Sequence, residues 1–301
     1  SGGSKSKQTI GKEVLTEIIN DLSYANVGLA GFTLFSQKYW DYNAGTIALE
    51  LLDIDGNPSA ATTNRDKMLT AVSNISADKG TPLSPAAASV AQYFTGGRTD
   101  KLNVSKTANG DAIPSSADTL SELFNTYTLG PDGKKYVPSK SPIEYHCQQN
   151  FMVALTDGEP TVEGDLHSTL TRWADGVTKQ NTDTQPKNSK PGDLSDVTKA
   201  MYDLDFHSGL PGIQNVISYI IGFDVSFQEL EDAAANGGGE YYTASSGPAL
   251  VASLKSVNLD KSEKNTQSIL KYRIAEIVVF SLLAIFIACM GLLGLAAYVT
   301  Q

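Results

Sequence analysis

Short apolar runs alternate with amphipathic helical segments along most of the chain, and this alternation constrains the fold more than any other feature. Apolar residues at helical spacing predict helices over residues 9–22, 64–75, 85–94, 194–204 and 227–235. Compact apolar runs predict strands over residues 27–32, 46–54, 216–223 and 240–243, with another around Phe151. Strands and helices that alternate at this spacing are typical of a mostly parallel sheet with helices on both faces. We therefore predict a doubly wound α/β fold.

One predicted strand ends in an acidic loop. The apolar run Met152-Val-Ala-Leu155 leads directly into Thr156-Asp157-Gly158-Glu159. In an open α/β sheet, ligands bind just beyond the carboxyl ends of the strands. Asp157 is therefore placed where a hard cation or an acidic partner group would be held. An ordinary strand followed by an Asp-Gly turn is the alternative interpretation.

Two other segments offer hydroxyl groups ahead of predicted helices. Thr81 precedes the 85–94 helix, and its hydroxyl suits either a helix cap or an oxygen ligand. Ser1 and Ser4 precede the first predicted helix. Hydroxyls and one aspartate from separate loops are the parts of the metal-ion-dependent adhesion site of von Willebrand factor A domains. That family has Asp-x-Ser-x-Ser, then a distant Thr and a distant Asp, and Thr81 and Asp157 resemble the second and third elements.

Three longer segments resemble the A domain of the type IV pilus tip adhesins, the PilY family. They are residues 140–161, 214–223 and 235–244, and the resemblance extends from about residue 1 to 257. The family's carboxyl-terminal β-propeller has no counterpart in this sequence. The resemblance implies a divalent cation (Mg²⁺, Ca²⁺ or Mn²⁺) held by Ser1, Ser4, Thr81 and Asp157. It also implies an open coordination position that an acidic group of a protein partner would complete.

The first element of the family's pattern is incomplete in this sequence. In the family, a central first strand carries the Asp of Asp-x-Ser-x-Ser; here Ser1 matches the first serine, and Gly3 stands where the second belongs. Ser4 would substitute only with a shifted backbone. Loss of a central strand would leave two neighbouring strands with unpaired backbone groups. We therefore expect that the numbered chain is a segment or a processed product, and strand donation by another chain is the alternative.

The carboxyl-terminal part of the sequence is strongly apolar. We assign residues 1–259 to the A-like domain, with a polar insertion at 95–147, and residues 260–273 to a linker. Residues 277–300 contain no charged residue and are long enough to cross a bilayer at about 1.5 Å per residue. We predict a transmembrane helix over 274–300, and a buried core helix is the alternative.

Two arguments predict opposite orientations of the chain in the membrane. Lys271 and Arg273 precede the apolar run, and the positive-inside rule would place the domain in the cytoplasm. The resemblance places it outside, and we follow the resemblance: we expect a membrane-anchored domain that is periplasmic or extracellular, on a bacterial cell surface.

Charge and motifs narrow the class of function. The net charge of −10 and a pI of about 4.8 argue against nucleic-acid binding. The sequence has no P-loop, no nucleophile elbow and no nucleophile with an evident base, so we expect no enzyme activity. The expected function is cell-surface or pilus-associated adhesion or assembly, with pilus or envelope subunits as partners. The alternative is a membrane-anchored scaffold subunit of an envelope complex with an inactive metal site.

Overall fold

The computed structural model describes residues 5–23, 25–32, 45–56, 62–75, 81–96, 141–158, 194–207, 209–266 and 275–280. The helices are α1 (Lys7–Asp21), α2 (Asn64–Asn74), α3 (Leu83–Phe94), α4 (Leu194–Asp203), α5 (Gln228–Asn236) and α6 (Gly247–Thr266). The strands are β1 (Ala25–Phe32), β2 (Gly45–Asp53), β3 (Gln149–Thr156), β4 (Val216–Phe223), β5 (Gly238–Ala244) and β6 (Ala275–Phe280). Every helix and strand predicted before residue 260 is present, with boundaries that differ by a few residues.

The six strands form one sheet in the order β2-β1-β6-β3-β4-β5. β1, β6, β3, β4 and β5 are parallel to one another, and β2 pairs antiparallel with β1 at one edge. Long apolar runs such as Val216–Phe223 suit this arrangement, because strands of a parallel sheet are buried on both faces. The prediction of a mixed α/β fold with a parallel sheet is confirmed.

Helices pack on both faces of the sheet and divide the core in two. On one face, buried residues of α1, α2 and α6, such as Leu15, Met68 and Leu250, pack against strand residues such as Phe151. On the other face, buried residues of α3, α4 and α5 pack against the alternate side chains of the same strands, which include Met152 and Ala154. The period-two alternation within β3 therefore supplies both halves of the core.

The carboxyl-terminal apolar run differs from the prediction at its start. Residues 275–280 form the central strand β6, which pairs with β1 from Ala25↔Ala275 and with β3 from Gln149↔Ala275. The sequence predicted a helix here and a gap at the centre of the sheet, and neither is found. Three consecutive β-branched residues, Ile277-Val278-Val279, favour a strand, and the pairing satisfies the facing backbone groups of β1 and β3.

Several other predictions fall beyond the described part of the chain. Residues 97–140 of the insertion and residues 281–300 of the predicted transmembrane helix lie outside it, as do Ser1 and Ser4. Within the part of the chain that the structure describes, no helix is both long enough and apolar enough to cross a bilayer.

Candidate functional site

The order of the strands reverses at the centre of the sheet. The chain proceeds outward from β1 to β2 on one side of β6, and outward from β3 through β4 to β5 on the other. Ligands of open α/β sheets bind beyond the carboxyl ends of the strands at such a switch point. Asp157 directly follows β3 and therefore lies at this position.

The direction of α3 places Thr81 toward the same edge of the sheet. The last turn of α3 lies at the opposite, amino edge. There, the Ser141 hydroxyl donates to the Phe94 carbonyl (3.3 Å) just ahead of β3, and the Tyr93 hydroxyl accepts from the Leu51 backbone N–H (3.0 Å). A helix of this length extends about 18 Å, and its first turn shares the core with Ala154 near the end of β3. Thr81 is consequently placed toward the carboxyl edge that carries Asp157.

The start of α3 presents two buried hydroxyl groups. Thr81 and Ser84 are both fully buried. The helix begins at Leu83 with Pro82 at the N-cap position, which makes no side-chain cap hydrogen bond. Hydroxyl oxygens at this position are of the type that binds hard divalent cations.

Asp157 is a buried carboxylate without a hydrogen-bond partner among the described residues. Its exposed fraction is 3%, and neither carboxylate oxygen is within hydrogen-bonding geometry of any other group in the described residues. Burial raises the pKa of Asp157 to about 6, while the positive charge of Lys7 and the residue's own backbone N–H act in the lowering direction and Asp224 adds to the increase. A buried carboxylate is normally paired or bound to a metal, because an isolated buried charge is costly. The carboxylate of Asp157 therefore fits a cation ligand.

The loop that carries Asp157 is held by its neighbours. The Thr156 hydroxyl accepts from the Gly158 backbone N–H (3.3 Å) and lies 2.9 Å from the Gly158 carbonyl oxygen, to which it donates. These contacts close a tight turn around Asp157. Its backbone position is therefore fixed by β3 on one side and by this turn on the other.

Two charged residues that the sequence analysis did not select lie at the same edge. Lys7 is the first residue of α1, which Ser6 caps by accepting from the Thr9 backbone N–H (3.2 Å). The Lys7 ammonium lies 3.2 Å from Oδ2 of Asp224, the residue that follows β4. The strand-end rule that pointed to Asp157 applies equally to Asp224, so the sequence held that signal. Nothing in the sequence reveals the contact with Lys7.

The structure describes two of the four predicted site residues. Asp157 and Thr81 lie at one edge of the sheet, whereas Ser1 and Ser4 lie outside the described residues. Within the described ranges, no three His, Cys, Asp or Glu side chains are grouped as metal ligands would be. The predicted ligand set contains one such side chain, with hydroxyls as its other members.

No family model matches the chain, and no curated protein matches it.

Proposed function

We propose that this chain is a doubly wound domain of the von Willebrand factor A type that binds protein partners through a divalent cation, in adhesion or assembly at a bacterial cell surface. The strand order supports this fold assignment. When the central strand is counted as the first, the order becomes 3-2-1-4-5-6, which is the order of doubly wound sheets that bind ligands at their switch point.

The buried, unpartnered carboxylate of Asp157 carries the proposal. It lies at the switch point and has no hydrogen-bond partner in the described part of the chain. A divalent cation would neutralise this carboxylate, and the hydroxyls of Thr81, Ser1 and Ser4 are the proposed further ligands. Oxygen ligands of this kind favour Mg²⁺, Ca²⁺ or Mn²⁺ over softer metals. An acidic group of the partner would then complete the coordination.

The end of β6 favours a second candidate function, a scaffold subunit of an envelope complex with an inactive metal site. β6 ends at Phe280, which pairs with Ala154 near the carboxyl edge. Residues 281–300 contain no charged residue and would span about 30 Å as a helix, so they are the proposed membrane span. A span that begins there brings the site edge close to the bilayer. That geometry suits a membrane-embedded partner better than a ligand on another cell.

A cation titration tests the proposal. Mn²⁺, Mg²⁺ and Ca²⁺ are titrated by calorimetry into the full chain in a mild detergent, beside Asp157→Asn and the exposed control Asp21→Asn. We expect saturable binding that Asp157→Asn abolishes and Asp21→Asn retains. Because the pKa of Asp157 is about 6 and its proton must leave before a cation binds, affinity should fall about tenfold from pH 7.5 to pH 5.

Two other outcomes would contradict the proposal. If the wild-type chain is folded by circular dichroism and binds none of the three cations at pH 7.5, adhesion through a metal is refuted and the scaffold function is favoured. Binding that Asp157→Asn retains would place the cation elsewhere in the chain.

A further inference from the structure

A lysine ammonium is held beside the candidate cation site. Lys7 lies 3.2 Å from Oδ2 of Asp224 and 5.8 Å from the centre of the Phe223 ring. Its side chain is 27% exposed, whereas Lys5, which pairs with Glu13 at the same end of α1, is 60% exposed. Asp157 and Asp224 follow neighbouring parallel strands in which Thr156 lies opposite Gly222, so the Lys7–Asp224 pair lies at the same strand ends as Asp157. Lys7 is therefore a fixed positive charge close to the proposed cation position.

The position of Asp224 is determined by its backbone. Asp224 has φ of 59°, in the left-handed region that Asp and Asn tolerate better than most residues. Its backbone N–H donates to the Ala244 carbonyl (2.6 Å) at the end of β5. This bond and the end of β4 fix the backbone of Asp224, whose 61% exposed carboxylate pairs with Lys7.

We propose that Lys7 is a tethered competitor of the divalent cation at Asp157, and that Asp224 is a positioning residue that holds the Lys7 ammonium aside. This inference rests on the proposed function. Two positive charges beside one buried carboxylate repel each other. Asp224 offsets this repulsion, because its carboxylate pairs with the ammonium and adds negative charge near the cation. The cation affinity of the site is therefore set by the balance of Lys7 and Asp224.

Substitutions of Lys7 and Asp224 should have opposite effects on Mn²⁺ binding. Lys7→Met keeps the aliphatic stem and removes the charge, so it should tighten Mn²⁺ binding about fivefold or more, within the usual range of coupling between neighbouring sites. Lys7→Arg should keep the wild-type affinity because it keeps the charge. Asp224→Asn tolerates the same φ but releases the ammonium, so it should weaken binding by a similar factor.

Mn²⁺ titration of the full chain and these variants is the test, with Lys5→Met as the matched control for loss of a lysine at the same helix end. Circular dichroism confirms that each variant is folded. Damage to the fold would weaken Mn²⁺ binding by Lys7→Met. Tighter binding by Lys7→Met, together with wild-type affinity of Lys5→Met, therefore supports the inference. Unchanged or weaker binding in Lys7→Met, or equal effects of Lys7→Met and Lys7→Arg, overturns it while leaving the proposed function intact. If the wild type itself binds no cation, both proposals fail.

Discussion

Replacement of Asp157 by asparagine should stabilise the chain at neutral pH in the absence of divalent cations. The carboxylate is buried and has no hydrogen-bond partner within the described residues, so its ionised form is unfavourable in the folded state. Asparagine has nearly the same shape and no charge. The predicted gain is unusual, because most substitutions of buried residues destabilise proteins.

The magnitude follows from the pKa of Asp157. It rises from 3.8 for an ordinary aspartate to about 6 in the folded protein. Each tenfold change in proton affinity corresponds to about 1.4 kcal/mol, so the difference amounts to about 3 kcal/mol. The folded state binds the proton more tightly than the unfolded state, and the associated stability is therefore fully present below pH 3.8. It is lost as pH rises through about 6.

Urea denaturation of the full chain at several pH values, with a chelator present, measures this effect. The unfolding free energy of Asp157→Asn minus that of the wild type should increase by about 3 kcal/mol between pH 3.5 and pH 7.5. Comparison of the two proteins cancels the titration of other groups, and Asp21→Asn at an exposed position is measured in parallel as a control. Mn²⁺ at a hundred times its dissociation constant should stabilise the wild type alone, by about 2.7 kcal/mol. A difference that does not depend on pH would refute the assignment of a buried, unpaired charge.

Two further predictions concern other parts of the fold. Val278→Pro should destabilise the chain by about 3 kcal/mol or more in urea denaturation, because proline removes a ladder hydrogen bond from the central strand. Leu292→Pro, in the apolar run beyond the described residues, is the comparison variant. Equal effects of the two prolines would contradict the placement of β6. The ion pair of Lys199 with Asp203 (2.5 Å) is buried in α4. Lys199→Met should therefore lower the free energy of unfolding by about 3–5 kcal/mol, and Lys199→Met combined with Asp203→Leu should recover most of this loss. Additive losses in the double variant would show that the two charges do not depend on each other.

Local patterns were sufficient to predict most elements of the fold. The mostly apolar run at 216–223 is bounded by polar residues, and β4 has these boundaries. The helix predicted at 64–75 is observed at Asn64–Asn74, where Thr63 and Asp66 form a capping box. In both cases the signals that start and end the element are adjacent in the sequence, so no tertiary information is needed.

The strand β6 could not be predicted in the same way. A long apolar run fits a buried strand, a buried helix or a membrane span, and the length of this run favoured a helix over the strand preference of its β-branched start. The position between β1 and β3 decides the outcome for residues 275–280, and that position becomes evident only when the strand order is known.

The candidate site also has one part that the sequence could predict and one part that it could not. Asp157 was predicted because a strand and the residue after it are adjacent in the sequence. The importance of Lys7 depends on how α1 and β4 meet, which involves residues more than 200 positions apart. Pairwise contacts of this range carry no local sequence signal, so the charge balance around Asp157 could be seen only in three dimensions.

The placement of β6 also determines when the sheet can be completed during synthesis. β3 ends at Thr156 and β6 begins at Ala275, so about 120 residues are translated between them, which takes about 6–24 s at ribosomal rates. During that interval β1 and β3 lack the strand that lies between them, and exposed strand edges are prone to pair with other chains. In a nascent chain, the facing edges of β1 and β3 therefore stay open to other partners until β6 has been synthesised.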